Sequence, residues 1–275
     1  MQFDCGPGVV RGALPTMGST WDTAAIRAVY DAQLRRDLPP SDGAAAAERT
    51  DRLTRHLGVG PDGWSGVLWS SLDEATADRV IADTVAWLRT VEGHAEWKLY
   101  HHDTPADLGA RLAAAGLVAG GVEAVMIAEA AAVPDFAPPA GVRLVEVSDD
   151  ADIDRVVWVH EAAFGEDHSW LGRRMRAGLA EGLMDVVLAM AGDEPVSAAR
   201  TAYYPGTEFA GLWGGGTVEA WRGRGIYRAL VSHRARKAQQ RGVRYLQVDA
   251  LPTSRPILER VGFTCVALTT PYTVA

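Results

Sequence analysis

Residues 213–230 read WGGGTVEAWRGRGIYRAL. Three glycines lead into an Arg-Gly-Arg-Gly turn, and the turn opens a segment of helical character running from about Ile226 to Gln240. Glycine and arginine at this density make poor core material and good material for holding a phosphate. The first turn of a helix leaves its N–H groups unpaired and carries partial positive charge. Glycine lets an anion approach that backbone, because no Cβ intervenes. Between Arg222 and Val248 stand eight Lys or Arg residues and no Asp or Glu, in a chain whose formal charge is −8. The plainer alternative is a tight turn followed by a solvated, arginine-rich helix face. The turn is not a Walker loop, since the Gly-Lys-Ser/Thr ending is missing. Nor is it a dinucleotide fingerprint, because Arg228 stands three residues after Gly225 where glycine or alanine is required. The anion expected is the phosphate of another kind of ligand.

The elements that must position this turn follow from patterning. AAAVPDFAPPAG, residues 130–141, carries Pro134, Pro138 and Pro139, which exclude a helix and a central strand, so a linker is placed at 131–141. It separates two halves, 1–130 and 142–275. After it, VRLVEVSD alternates as a strand, two helices follow around 151–164 and 170–183, and DVVLAMA, VSAARTAYY and FAGLWGGGTV read as strands. VRYLQVD is the strand after the basic helix; a short helix at 253–261 ends at Gly262, and a final strand pair is expected beyond it. The first half echoes this order. WSGVLWSS, a helix with apolar residues at Val80, Ile81, Val85 and Leu88, the strand AEWKLYH, the helix ADLGARLAAAGL and the strand VEAVMIAE place Gly116 on Gly262 and Leu112 on Leu258. PPSDGAAAAE, residues 39–48, is expected to be a surface loop leading into a helix.

With 275 residues, the chain has room for two domains of roughly 130 residues each. The composition, 48% hydrophobic and 23% charged, is that of a globular protein, and the net charge argues against nucleic acid as partner. Two cysteines, Cys5 and Cys265, do not make a disulfide scaffold. The N-terminus has no signal-peptide pattern, and no apolar run is long enough to span a membrane, so a cytoplasmic location without membrane partners is expected.

Arg222-Gly223-Arg224-Gly225-Ile226-Tyr227, after a strand and opening a helix, resembles the pyrophosphate loop of the GNAT acyltransferases, whose pattern is Gln/Arg-x-x-Gly-x-Gly/Ala. The element order after residue 142 is also the GNAT order, and Ser254 with LERVGF (258–263) is similar to the last helix and Gly-Phe ending of that superfamily. The resemblance covers about 135 residues fully and the first half as a degenerate copy. Two such domains in tandem are similar in architecture to mycothiol synthase and related actinobacterial enzymes.

The implied fold class is α/β (mixed α+β): two tandem GNAT-like domains, each a mixed, mostly antiparallel sheet flanked by helices, the N-terminal one degenerate. The implied co-substrate is acetyl-CoA. Thr217 and Val218 would offer backbone groups to its pantetheine arm, and the N–H groups from Gly223 to Tyr227 would hold the pyrophosphate. Arg222 and Arg224 would neutralise phosphate charge, Ser254 would complete the cofactor set, and Gly214, Gly215 and Gly216 would leave room for the thioester and acceptor. Two departures matter. Tyr227 replaces the second glycine of the loop, so its side chain must point away from the phosphates. Leu258 and Leu251 replace the tyrosine and asparagine common in the superfamily, so its usual general acid is missing. In the first half the equivalent turn, LDEATAD, has three acids and no glycine, and is not expected to bind CoA.

The implied reaction is acetyl transfer to a small primary amine by direct attack in a ternary complex, which needs a neutral amine and backbone donors for the oxyanion. The candidate bases are Asp249 at the end of VRYLQVD, Glu208 just before FAGLWGGGT, and His168 in GEDHSW, with Glu166 and Asp167 beside it. Each has a plainer role, respectively as helix cap, turn residue and solvated loop residue. Trp213 is the aromatic pocket candidate. His101-His102-Asp103 sits at a strand end where adjacent side chains diverge, and no metal site is expected there. The alternatives are a catalytically silent acyl-CoA-binding module and an aminoacyl-tRNA-dependent transferase; the latter would need no pyrophosphate loop and should carry a broad basic surface. Homodimerisation stays open.

Overall fold

The computed structural model describes residues 21–38, 46–58, 63–165 and 167–274. Cys5 and Glu166 lie outside the described residues. Helix α1 (Thr23–Tyr30) starts behind Asp22, whose carboxylate accepts from the N–H groups of Ala24 and Ala25 at 3.0 and 3.1 Å. It runs into a wider π-helical turn, Asp31–Arg36. Strands β1 (Ala46–Arg49), β2 (Leu53–Leu57) and β3 (Trp64–Ser70) follow, then α2 (Ala77–Leu88), β4 (His94–Tyr100), α3 (Leu108–Ala114), β5 (Leu117–Ala119) and β6 (Glu123–Glu129). Beyond the proline-rich segment come β7 (Val142–Glu146), α4 (Asp150–Phe164), α5 (Trp170–Ala180), β8 (Met184–Ala191), β9 (Glu194–Tyr203) and β10 (Phe209–Thr217). Helix α6 (Ile226–Gln240), β11 (Tyr245–Ala250), α7 (Arg255–Arg260) and β12 (Thr264–Val274) complete the chain. The residues after 45 enter a strand, not the expected helix. No helix among the described residues is long and apolar enough to cross a membrane.

All the strands of the described residues join one sheet, ordered β1-β2-β3-β4-β12-β6-β11-β10-β9-β8-β7, with β5 pairing β12 off this path. Each half contributes one parallel pair, β3 with β4 and β10 with β11; the other pairs are antiparallel. The echo in the sequence is therefore an echo in topology.

The expected final strand pair is corrected. Residues 264–274 form one long strand, and the place beside β11 is taken by β6 from the first half. In turn, β12 lies between β6 and β4. The physical reason is in the two strands. Val125, Met126 and Ile127 of β6 are 0% exposed, so this strand must be covered on both faces and flanked on both edges. TCVALTTPYTV lacks a glycine or asparagine that would turn it back on itself.

One face of the sheet is covered by α6 and α7. There Val231, Ala235, Leu258 and Val261 pack on Ala210, Leu212, Leu246 and Val248. Fully buried Leu258 contributes about 1.5–3 kcal/mol by burial alone. The opposite face carries α1, whose Ile26 and Tyr30 pack with Leu34 on Tyr100, Ile127, Phe209 and Tyr245. Farther along, α4 and α5 bring Ile153, Val159, Leu171 and Met175 to the core of the second half.

Candidate functional site

The parallel pair β10/β11 keeps register over three steps only, Phe209 with Tyr245, Ala210 with Leu246 and Gly211 with Gln247. Beyond that, β11 stays paired with β6 as far as Ala250 and Ala124. Strand β10 stays with β9 as far as Thr217 and Ser197, through an irregularity between Trp213 and Gly216. Each strand holds its outer neighbour and leaves its inner one. The sheet is open there.

The three glycines line this opening, yet the space over them is taken by the chain's own side chains. A Cβ on Gly214, where φ is +57°, would lie 2.8 Å from Nε2 of His160 and 3.0 Å from Nη2 of Arg200. One on Gly215 would lie 2.6 Å from Cε2 of Tyr227, and one on Gly216 would lie 2.9 Å from Cε2 of Phe164. The expectation that these glycines leave room for thioester and acceptor is corrected: they admit His160, Arg200, Tyr227 and Phe164. The same contact answers the departure at Tyr227. Its ring lies against Gly215, and burial holds its hydroxyl above the usual tyrosine pKa.

Gly223 and Gly225 adopt φ of +75° and +86°, the left-handed region that glycine enters at little cost, and α6 begins at Ile226 with no side-chain cap. The N–H groups of Gly223, Arg224, Gly225, Ile226 and Tyr227 have no acceptor among the described residues. Arg222 donates from Nε to the carbonyl of Thr217 and from Nη2 to that of Ala163, both at 3.1 Å. Arg224 donates to the carbonyl of Ala220 at 3.0 Å and stacks 4.5 Å over the ring of Trp221. Both arginines brace the loop, and neither pairs with a carboxylate among the described residues. Thr217 and Val218 do not present free groups as expected. The carbonyl of Thr217 takes Arg222, its hydroxyl lies 2.8 Å from that of Ser197, and the Val218 N–H donates to Val196. The open edge lies before them, at 212–216. Ser254 stands past the end of β11 at the start of α7, its hydroxyl donating to the carbonyl of Leu251 at 3.1 Å.

The three proposed bases part company. Asp249 reaches the open end of β11, but it is ion-paired with Lys98 of β4 and accepts from Gln247 Nε2 at 2.8 Å; its side chain is 6% exposed. Glu208 lies at the other, tied end of β10, where its carbonyl accepts from the N–H groups of Arg244 and Tyr245. Its carboxylate bonds Gln33 at 3.0 Å and Arg244 at 3.2 Å, which takes it out of the opening. His168 stacks with its ring centre 4.4 Å from that of His160 and is near Phe164 and Trp170. His101 and His102 are engaged by Thr270, and by Asp31 with Arg35, respectively. Leu258, where the resemblance implies a tyrosine, is sealed in the core, and Leu251 is 48% exposed.

Several residues at the opening escaped the sequence reading. Lys98 lies between Asp249 and Glu123, the latter 3.7 Å away on β6. Burial would lower the Lys98 ammonium, but Asp249, Tyr30, Glu123 and Glu96 outweigh it and hold it above its usual value. Burial, reinforced by Asp249 and Glu96, raises the Glu123 carboxyl against the pull of Lys98. Tyr204 accepts from Trp213 Nε1 at 3.1 Å, and burial, with Asp249, raises its hydroxyl against the lowering effect of Trp213, Arg174 and Lys98. Arg200 pairs in register with Trp213, so both leave the sheet on the same face. The signal that could have found Lys98 was its place in AEWKLYH as a charge within an otherwise buried strand. Nothing local marks its partner.

No family profile matches the sequence, and no curated protein matches it. Similar solved structures include GNAT proteins. A GCN5-related N-acetyltransferase from Kribbella flavida superposes with a TM-score of 0.66 at 15% identity, over 83% of this chain and 89% of its own. A tandem GNAT protein from the clavulanic acid biosynthesis pathway gives 0.55 at 14%, over 84% and 83%. A GCN5-related N-acetyltransferase from Sphaerobacter thermophilus gives 0.58 at 15%, over 82% and 81%. The chain has the tandem GNAT fold.

Proposed function

We propose that the protein is an N-acyltransferase that takes acetyl-CoA as donor and a small primary amine as acceptor. The observation that carries this reading is the coincidence of two openings. The register of β10 and β11 lapses after Gly211 and Gln247, and the glycine loop at the head of α6 presents N–H groups without acceptors. The residues fit a diphosphate ester. The amides from Gly223 to Tyr227 would bind its oxygens, Arg222 and Arg224 would add charge, and the edge at 212–216 would receive an extended arm. When bound, acetyl-CoA supplies the acyl thioester.

The chain's own residues then have three tasks. Trp213 and Tyr204 form an amphipathic wall beside the open edge. Asp249, locked to Lys98, attracts the cationic form of the amine without being free to take its proton. Glu123 is the carboxylate able to do so: its side chain is 25% exposed and burial raises its pKa toward the working range of a base. The amine reacts directly within the ternary complex.

The test is calorimetry with acetyl-CoA on the wild type and on Gly225→Glu. One site per chain is expected in the wild type. A carboxylate placed against the diphosphate should weaken binding about 100-fold or more, since opposing like charges cost several kcal/mol. Absence of wild-type binding would sink the reading. A second reading, a silent acyl-CoA-binding module, is favoured by one observation, the sealed Leu258 at the position of the usual acid. Tight acetyl-CoA binding with no thiol release across a panel of amines would select it.

A further inference from the structure

The face of the sheet that carries Trp213 also carries a cationic cluster with no counter-charge among the described residues. Arg200 of β9 makes no ion pair with a carboxylate among the described residues, and its buried Nε has no hydrogen-bond partner. His160 of α4 is 8% exposed, and neither ring nitrogen has a partner. The two converge on the backbone of Gly214. A Cβ at that position would lie 2.8 Å from His160 Nε2, 3.0 Å from Arg200 Nη2 and 3.1 Å from Arg200 Nε. Arg174 of α5 adds a second positive charge, and both burial and Arg174 work against the charge on Arg200. Neighbouring His168 and Phe164 close the cluster with rings.

An unpaired guanidinium in such surroundings costs stability unless a partner arrives. In a structural role, it would have been matched by an aspartate or glutamate, as Arg35 is matched by Asp31 and Asp103 elsewhere in this chain. Among the described residues the charge that acts on Arg200 is another arginine, Arg174. A guanidinium fork with an N–H donor beside it suits a planar, two-oxygen anion.

Across the open end of the sheet the sign reverses. Asp249 and Glu123 both pair with Lys98, and Glu96 of the same strand adds negative charge. Trp213, in register with Arg200, meets the Tyr204 hydroxyl over Gly211, and Gly211 pairs with Gln247, whose side-chain amide donates to Asp249, so one continuous wall links the two poles.

We infer that the acceptor is a zwitterion: a primary amine whose carboxylate is held by Arg200, Arg174 and His160 while its amino end lies toward Asp249 and Glu123. The inference rests on the acyltransferase reading for the fate of the amine, though not for the binding of the anion. Gly214 is the position that lets the two nitrogen-bearing side chains meet, which explains a left-handed glycine inside a strand.

The test uses the full chain and a matched probe set: an ω-amino carboxylate, its primary amide, and its phosphonate analogue. Binding is measured by calorimetry with wild type, Arg200→Gln and Arg174→Gln, alongside acetyl-CoA binding to each protein. Wild type should bind the carboxylate and discriminate against the amide. Arg200→Gln should weaken the carboxylate about 30-fold or more while leaving the amide unchanged. If Arg200→Gln fails to fold, the exposed Arg174→Gln keeps the test alive, with a smaller loss of the same selectivity. Equal binding of carboxylate and amide, or no carboxylate binding, overturns the inference even where acetyl-CoA binds normally. Preference for the phosphonate over the carboxylate overturns the choice of carboxylate. Carboxylate binding without acetyl-CoA binding supports the anion site and overturns the acyltransferase reading alone.

Discussion

Lys98 and Asp249 come from opposite halves of the chain and form an ion pair at the open end of the sheet, with side chains 12% and 6% exposed. The pair spans the strand exchange. Lys98 is on β4 and Asp249 on β11, with β12 and β6 laid between them. The first half is thus not an appendage to the site. It supplies the counter-ion of one candidate residue and a second carboxylate, Glu123, 3.7 Å from that counter-ion.

Removing Lys98 would leave Asp249 buried without its cation. Lys98→Met is expected to cost about 3–5 kcal/mol, read as a lowered urea midpoint, and Lys98→Met with Asp249→Leu should recover part of it. The pH dependence has a defined sign. Lys98 has a raised pKa in the folded state, so its contribution is complete below about pH 10.4, the unfolded value, and is lost as pH rises through the higher folded value. An alkaline loss that is unchanged in Lys98→Met would contradict this assignment.

His160 behaves in the opposite direction. Burial, then Arg200 and His168, push its pKa down to about 3. The unfolded chain takes up the proton near pH 6.5 and the folded protein does not. Stability is therefore present above that value and falls as pH drops from 6.5 toward 3, by at most about 1.4 kcal/mol per pH unit from this group. Urea unfolding at pH 7, 5.5 and 4.5 should show a shallower acid loss in His160→Gln than in wild type. Parallel curves would show that His160 is not the source.

Gly215 and Tyr227 are predicted to be coupled. Gly215→Ala places a Cβ 2.6 Å from Cε2 of Tyr227 and should destabilise the fold by about 1–3 kcal/mol through overpacking. In Tyr227→Ala the obstruction is gone, so adding Gly215→Ala should cost far less than it does alone. Additive costs in the double-mutant cycle would mean that the contact is not the cause.

The strand exchange predicts how the halves respond to being separated. Residues 142–275 expressed alone would lack β6 and leave β11 without that neighbour along Tyr245–Ala250. Such a fragment is expected to be insoluble or to associate through the exposed edge. By contrast, proteolysis confined to 131–141 should leave the halves together on a sizing column. A fragment 142–275 that unfolds cooperatively as a monomer would refute the dependence.

Most of the second half was legible in the sequence because its signals are local. Alternation in VRLVEVSD marks β7, and Gly223 and Gly225 mark a turn whose left-handed backbone other residues enter at a cost. Basic α6 followed from composition and period. By contrast, α1 was missed, since its short amphipathic pattern is completed only by packing Ile26 and Tyr30 onto strands far along the chain. Strands β1 and β2 were missed for a related reason: AAER and LTRHL have little strand character until they pair.

The site divides along the same line. From the sequence alone come the glycine turn at Arg222–Tyr227 and the order of elements that places a strand before it and a helix after it. Backbone conformation and helix polarity depend on neighbouring residues, so neighbouring residues suffice to read them. Tertiary structure alone decided that Asp249 meets Lys98 across 151 positions of sequence, that Glu208 faces away from the opening, and that Arg200 stands beside His160 without an acid among the described residues. Those facts are pairings of charge, and a charge acquires its partner, or fails to, only when the chain has closed around it.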